Sequence, residues 1–279
     1  MALRKFPVPA DGSIKFILKL TNMSIRTRFA PSPTGELHVG GARTALFNYL
    51  LAKQNNGQFI VRVEDTDRQR TRIKFIKEQH DDLIWLGIKP DESVFQPGDY
   101  GPYQQSQRLT IYQKYIEKLL NEKKAYHCFC SPQELAQEKV EYIKKNKKSN
   151  YQYSRKCLEL GEEEIKNFLQ KKKKHVIRCY VPRDKNYELS DLVRGKMVFR
   201  GLDIEDFVLC RRNGIPLLNF AVVIDDYSMK ISHVLRGEEH LSNTAKQLVL
   251  YELLGWKSPL FGHVSIILNK EKKKTFQTR

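Results

Sequence analysis

His38 stands just before a glycine pair, in a stretch that reads RFAPSPTGELHVGGARTALFNYL from Arg28 to Leu50. Two prolines and a glycine shape the backbone ahead of it, and an amphipathic run follows. Where a strand, a glycine-bearing turn and a helix meet in that order, the first helical amides lack intrahelical partners. The helix dipole is positive there, so the place stabilises anions, phosphates above all. Gly40 and Gly41 let a nucleotide approach the backbone closely, and the His38 imidazole can donate to phosphate oxygens. A lone histidine at a helix start is also common as a surface residue or a cap, and residue types alone leave both readings open.

The elements that must position these residues follow from periodicity. Ile25 to Ala30 alternates as a short strand, and Gly40 to Gln54 keeps a helical period through Ala42, Leu46, Tyr49 and Leu50, with Gly57 as its stop. QFIVRVEDTD reads as a buried strand ending in three acids. Ile73, Ile76, His80, Leu83 and Ile84 mark a helix closed by Gly87; Leu109, Tyr112, Ile116 and Leu119 mark another. This strand-helix-strand-helix order suggests a parallel α/β sheet. From Lys123 to Lys185 lysine runs and cysteines dominate, so 104–214 reads as an insertion of separate character. Beyond it, GIPLLNFAVVIDD ends an apolar run at Asp225-Asp226, and ISHVLRGEEH gives a strand and an acidic loop. SNTAKQLVLYELLG follows as a capped helix and HVSIILN as a last strand. The sheet is thus begun over 24–103, interrupted over 104–214 and resumed over 215–269, with an N-terminal extension at 1–23 and an aberrant tail at 270–279.

Composition narrows the partners. Against 32 Asp and Glu stand 49 Lys and Arg, a formal charge of +17. That suits a polyanion such as nucleic acid, although lysine runs such as 171–174 also serve as ordinary solvated surface. No apolar run approaches the roughly eighteen residues of a membrane span, so no membrane partner is expected. Five cysteines, an odd number, argue against a disulfide framework and for a reducing compartment. A cytoplasmic location is expected, or an organelle matrix for a eukaryotic source. The stretch ahead of Met23 lacks the Arg and Ser richness of a targeting leader and reads more simply as an extension or alternative start.

The stretch around His38 closely resembles the first signature of bacterial-type glutamyl-tRNA synthetases, discriminating or non-discriminating. These are class I enzymes, whose HIGH motif would here be His38-Val39-Gly40-Gly41. FIVRVEDTD, YGPYQQSQR, DFVLCRRNG and HVLRGEEHLSNTAKQ continue the resemblance in the family's order, from Met23 to about Asn269. It implies a Rossmann-type parallel sheet interrupted by an α+β connective insertion that grips the tRNA acceptor end. It also implies a two-step reaction. Glutamate's carboxylate attacks the α-phosphate of ATP, held with Mg2+, and the glutamyl group then passes to the terminal ribose of tRNA-Glu. No side chain need act as nucleophile; the protein orients two anions and neutralises charge building on pyrophosphate. The implied partners are tRNA-Glu, L-glutamate and ATP, with a monomeric chain expected.

By the same resemblance His38, Gly40 and Gly41 take catalytic and ATP-binding positions, and Glu239 also contacts the nucleotide. Arg28 and Arg236 match arginines that pair bidentately with substrate carboxylate. Phe29 and Ala30 lie in that pocket, and Glu64 matches the acid that takes the substrate ammonium. The plainer reading is that Arg28, Arg236 and Glu64 salt-bridge one another. Leu218, Asn219, Phe220, Ala221 and Val222 match a pocket wall, where the chain departs from the family. Pro216-Leu217-Leu218 replaces Pro-Thr-Tyr, removing an aromatic hydroxyl and about 1.5–3 kcal/mol of binding.

Cys128, Cys130, Tyr153 and Cys157 resemble a zinc knuckle found in part of the superfamily. Three thiolates suit tetrahedral Zn2+ with Tyr153 or His127 as fourth ligand; free thiols are the alternative. Cys179 and Cys210 read as buried strand residues. KEKKKTFQTR stands where the family carries a KMSKS loop whose lysine stabilises the pyrophosphate transition state. The expectation is therefore a catalytic fragment without that loop or an anticodon-binding domain, able to bind ATP but poorly active. The alternatives are an inactive nucleotide- or tRNA-binding fragment and a tRNA-Asp glutamyl-queuosine synthetase, which VEDTD, ARTALFNYL and RGEEHLSNT fit less well.

Overall fold

In the first half of the chain β1 (Arg26–Phe29) leads through the proline-rich turn into α1 (Val39–Gln54), then β2 (Gln58–Val61) and α2 (Ile73–Trp85). The middle holds α3 (Leu109–Asn121), β3 (Ala125–Cys128), α4 (Pro132–Asn146), α5 (Glu162–Gln170), β4 (Val176–Cys179), β5 (Asn186–Asp191), β6 (Gly195–Arg200) and β7 (Val208–Cys210). The last part runs α6 (Leu218–Ser228), β8 (His233–Gly237), α7 (Leu241–Leu254) and β9 (Leu260–Val264). This computed structural model describes residues 24–66, 71–147 and 151–267; the sequence readings for 1–23, for Asp67, for Lys148 in the lysine-rich stretch, for the end of HVSIILN at 268–269 and for 270–279 lie outside the described residues.

β2, β1, β8 and β9 form one four-stranded parallel sheet in that order. β1 and β8 are separated by about 200 residues of sequence, yet lie side by side, as Thr27 opposite His233 shows. Strand order reverses between them, and such a switch point opens a crevice at the carboxyl ends of the strands. Burial explains the sequence pattern: Phe59, Ile60 and Val61 are all buried, as a strand covered on both faces requires. Gly57 does more than stop α1. A Cβ there would sit 2.2 Å from the Ile25 carbonyl oxygen, so the tight return into β2 requires glycine.

Two local expectations shift. α7 starts at Leu241 with His240 at its N-cap and no side-chain cap bond, rather than at a capping Ser242. The 3₁₀ turn Glu238–His240 already winds the chain and feeds straight into the helix. Gly255, at φ +70°, does close it. The final strand, expected over 263–269, begins earlier and spans Leu260–Val264 among the described residues, because its partner β8 ends opposite Val264 at Gly237. Beyond that register β8 offers no further residue to pair with, and Ile266 and Ile267 wall the crevice.

Between the sheet's halves lies an antiparallel sheet ordered β3-β4-β7, together with the β5-β6 hairpin. α4 opens with a capping box, Ser131 to Glu134, and Pro132 at its first turn. The hairpin turn rests on the parallel sheet: Leu192 N donates to the Phe261 carbonyl at 2.8 Å. Cys179 and Cys210 are buried in strands, as expected, and all five cysteines are free. No helix among the described residues is long and apolar enough to cross a membrane.

Candidate active site

A cavity of about 490 Å³ opens at the carboxyl ends of β1 and β8. Of the residues expected from the sequence, Arg28, Phe29, Ala30, His38, Gly40, Gly41, Glu64, Leu218, Val222, Arg236 and Glu239 line it. Asn219 is not among the lining residues but touches one of them, its Oδ1 accepting from Gln247 Nε2 at 3.2 Å. Phe220 and Ala221 are fully buried on the inner face of α6 and pack into the core, away from the cavity.

His38 is both things the sequence allowed. It is the N-cap of α1, and its Nδ1 accepts the Gly41 amide at 3.1 Å. With Nδ1 accepting, the neutral ring carries its proton on Nε2, a donor at the cavity wall. A Cβ on Gly40 would lie 3.1 Å from that ring, and one on Gly41 3.1 Å from Leu37 Cδ1, so both glycines keep the turn tight.

The charged residues divide into two groups. Arg28 meets Asp226 with two bonds of 3.3 Å. The fully buried Arg62 donates to Asp226 at 2.7 Å and to Glu64 at 3.1 Å. Asp225 in turn accepts from Arg108 at 2.6 Å, Gln105 at 2.9 Å and Tyr112 at 2.9 Å. Burial alone would raise the Asp226 carboxyl, but Arg28 and Arg62 outweigh it and hold the group below its ordinary range. At Glu64 burial wins over Arg62 and Arg28 and pushes the carboxyl up.

Arg236 differs. Its Nε donates to His263 Nε2 at 3.2 Å, and its Nη2 donates to Thr244 Oγ1 at 2.7 Å and Gln247 Oε1 at 2.8 Å. All three acceptors are neutral, and no carboxylate pairs with it among the described residues. Burial first, then repulsion from Arg28, brings its pKa down to about 9. No salt bridge joins any two of Arg28, Glu64 and Arg236, so the plainer reading of mutual pairing does not hold. The sequence reading missed Arg62, Asp225, Asp226, Thr244, Gln247 and His263. For three of these a cue existed: Arg62 inside FIVRV and two acids closing FAVVIDD are charges in apolar runs, which burial tolerates only when paired.

Residues 24–277 match the family of class I tRNA synthetases (E and Q), catalytic domain. The chain belongs to this family. It is 51% identical over 251 residues to a glutamate–tRNA ligase of Geobacillus thermodenitrificans, covering 90% of this chain and 51% of that one. A glutamate–tRNA ligase of Mycoplasma mycoides is 50% identical over 254 residues, with 90% and 52% covered. The solved glutamate–tRNA ligase of Elizabethkingia meningosepticum, in complex with its amino acid, superposes with TM-score 0.83 at 44% identity, covering 88% of this chain and 50% of that one. The glutamate–tRNA synthetase of Elizabethkingia anophelis gives 0.85 at 43% identity, covering 91% and 52%. The chain spans about half the length of these relatives.

Within this synthetase fold the described cysteines outside β4 and β7 come together. The thiols of Cys128, Cys130 and Cys157 lie within 4.8 Å of one another, all buried. Cys130 Sγ is 3.2 Å from the Tyr153 hydroxyl and 3.4 Å from Cys157 Sγ. Hydrogen bonds from Cys157, Tyr153 and the Arg178 guanidinium draw the Cys128 thiol down, whereas Cys157 is pushed up by its bond to Cys128. His127 points elsewhere: its ring packs against His175, centroids 4.8 Å apart. Of the two candidates for a fourth ligand, the fold brings Tyr153 to the thiols. Three clustered sulfurs are the donor type that a tetrahedral zinc site uses, and the Tyr153 hydroxyl stands beside them in the fourth place.

Proposed function

We propose that this chain is the catalytic part of a glutamate–tRNA ligase, which joins L-glutamate to ATP as an adenylate and passes it to the 3′ end of tRNA-Glu. The observation that carries the reading is Arg236, a buried cation facing a cavity with only neutral partners of its own. A carboxylate entering there gains its charge partner without displacing another, and the neutral amide of glutamine cannot supply it. Glu64, with its lifted carboxyl held beside Arg62, suits the substrate ammonium. The relatives named as glutamate–tRNA ligases support the same substrate.

ATP, with Mg2+ on its phosphates, then belongs at the start of α1, where His38 Nε2, the Gly40-Gly41 turn and Glu239 border the cavity. Carboxylate and α-phosphate meet in line there, and fixed donors offset the charge that develops on pyrophosphate. We assign 104–214 to the acceptor-stem insertion, with exposed lysines 171–174 available to phosphates. Arg108 and Tyr112 tie its first helix to Asp225, so this segment is anchored to the catalytic half. Cys128, Cys130, Tyr153 and Cys157 would hold a structural Zn2+, stabilising that insertion. Five free cysteines support a reducing, cytoplasmic location, and we take the chain as a monomer.

Calorimetry with glutamate and glutamine tests the substrate. Glutamate should bind and glutamine should bind at least about tenfold more weakly, the loss of one charged hydrogen-bond pair. Equal binding of the two would refute the assignment. Metal analysis of protein purified without chelator should return close to one zinc per chain; none would remove the zinc reading.

A further inference from the structure

Arg236 has five N–H donors, and three are taken: Nε by His263 and both Nη2 hydrogens by Thr244 and Gln247. The two on Nη1 have no acceptor among the described residues. What lets His263 accept at Nε2 lies one residue further out. Asp191 Oδ2 is 2.6 Å from His263 Nδ1, while Asp191 Oδ1 takes the amides of Val193, Arg194 and His263 at 2.9, 2.9 and 3.1 Å. A carboxylate only accepts, so the ring proton sits on Nδ1 and Nε2 is left to accept, from Arg236 Nε and from the Thr244 hydroxyl 2.8 Å away. The other tautomer would set N–H against N–H at Arg236 Nε, and an imidazolium would add a second cation. Asp191, His263 and Arg236 are 6%, 0% and 7% exposed, so water cannot substitute for a lost partner. His263 sits opposite Arg236 in the β8-β9 register, whereas Asp191 ends β5 in the hairpin of the insertion.

We propose that Asp191 and His263 are positioning residues for Arg236. Asp191 selects the His263 tautomer, and His263 with Thr244 and Gln247 fixes the guanidinium plane. The Nη1 edge is thereby aimed at the substrate carboxylate. This rests on the glutamate reading of the cavity and extends it: the insertion's hairpin, and not the parallel sheet alone, sets the aim of the amino-acid pocket.

Nitrogen-15 NMR of histidine-labelled protein tests this, with His263→Gln identifying the resonance. In the native chain Nδ1 should be protonated and Nε2 bare between pH 6 and 8. Asp191→Asn should mix or reverse that pattern and raise the Kd for glutamate about tenfold or more. The Kd for ATP should stay within about twofold. A native His263 protonated on Nε2 overturns the proposal. So does a variant with tautomer and glutamate affinity unchanged, or one that loses glutamate and ATP alike. Should Asp191→Asn fail to fold, the native spectrum decides alone. A native chain that binds no glutamate would sink the reading of the cavity, while its His263 spectrum would still decide the positioning.

Discussion

Arg28 and Arg236 sit at the ends of neighbouring strands and face one cavity, yet they stand in opposite electrostatic states. Arg28 is already paired, through Asp226, into a buried network with Arg62 and Glu64. Arg236 is held as firmly, but by a histidine, a hydroxyl and an amide. Neutral acceptors fix direction without cancelling charge. The first arginine therefore contributes to the fold as well as the pocket, and the second is reserved for a ligand. A buried cation kept in that state destabilises the empty protein, which is the cost of discriminating a carboxylate from its amide.

The comparison is broken most forcefully at Asp226. Asp226→Ala leaves Arg28 and the fully buried Arg62 without their shared carboxylate, and should lower unfolding stability by about 3–5 kcal/mol in urea titrations. Arg236→Gln should behave in the opposite way. Glutamate binding should weaken by about 2–5 kcal/mol in calorimetry, while unfolding stability stays level or rises, because an unpaired buried charge is removed. If both variants lose stability alike, the two arginines are not in different states and the distinction fails.

Much of this frame is legible from residues alone. The β1-turn-α1 unit and the glycine stop at Gly57 follow from periodicity and turn chemistry, and the interruption of the sheet from a change of composition, all of them local properties. The partition of charge is not local. Arg28 and Asp226 are 198 positions apart, and whether Arg28 meets Asp226 or Glu64 depends on how β1 and α6 pack. In sequence His263 is only one residue of a final strand, since nothing in HVSIILN says that Asp191 will face it from another sheet. The pocket wall shows the same limit: five consecutive residues, 218–222, were expected to line the cavity. A helix presents only one face, so Leu218 and Val222, four apart, reach it while Phe220 and Ala221 turn into the core.

A smaller effect sharpens the comparison from the wall side. Leu218→Tyr would restore an aromatic hydroxyl to the wall of the cavity that Arg236 also lines. Glutamate binding should tighten by about 1.5 kcal/mol, with glutamine gaining less. Tightening that is equal for both ligands would place the hydroxyl on the shared backbone part of the substrate and away from the discriminating end.

His240 reports on the same charge from a third direction. It borders the cavity, and its imidazole is pushed down to about 4, first by burial and then by Arg236, with Arg28 adding to it and Glu239 opposing. The sign follows from linkage. Between about pH 6.5 and 4 the unfolded chain binds this proton and the folded chain does not, so stability falls as pH drops through that window and is complete above it. The side chain is 40% exposed, and solvent screening should keep the effect on stability below about 1 kcal/mol. The titration itself is the better readout. A glutamate carboxylate on Arg236 would cancel the nearest repulsion, leaving burial as the main remaining depressant, so ligand should move the His240 midpoint upward. Arg236→Gln should do so without ligand. Proton NMR of the His240 ring, with and without glutamate, reads both. A midpoint that moves in neither experiment would mean that the field at His240 does not come from Arg236, and that the guanidinium is compensated after all.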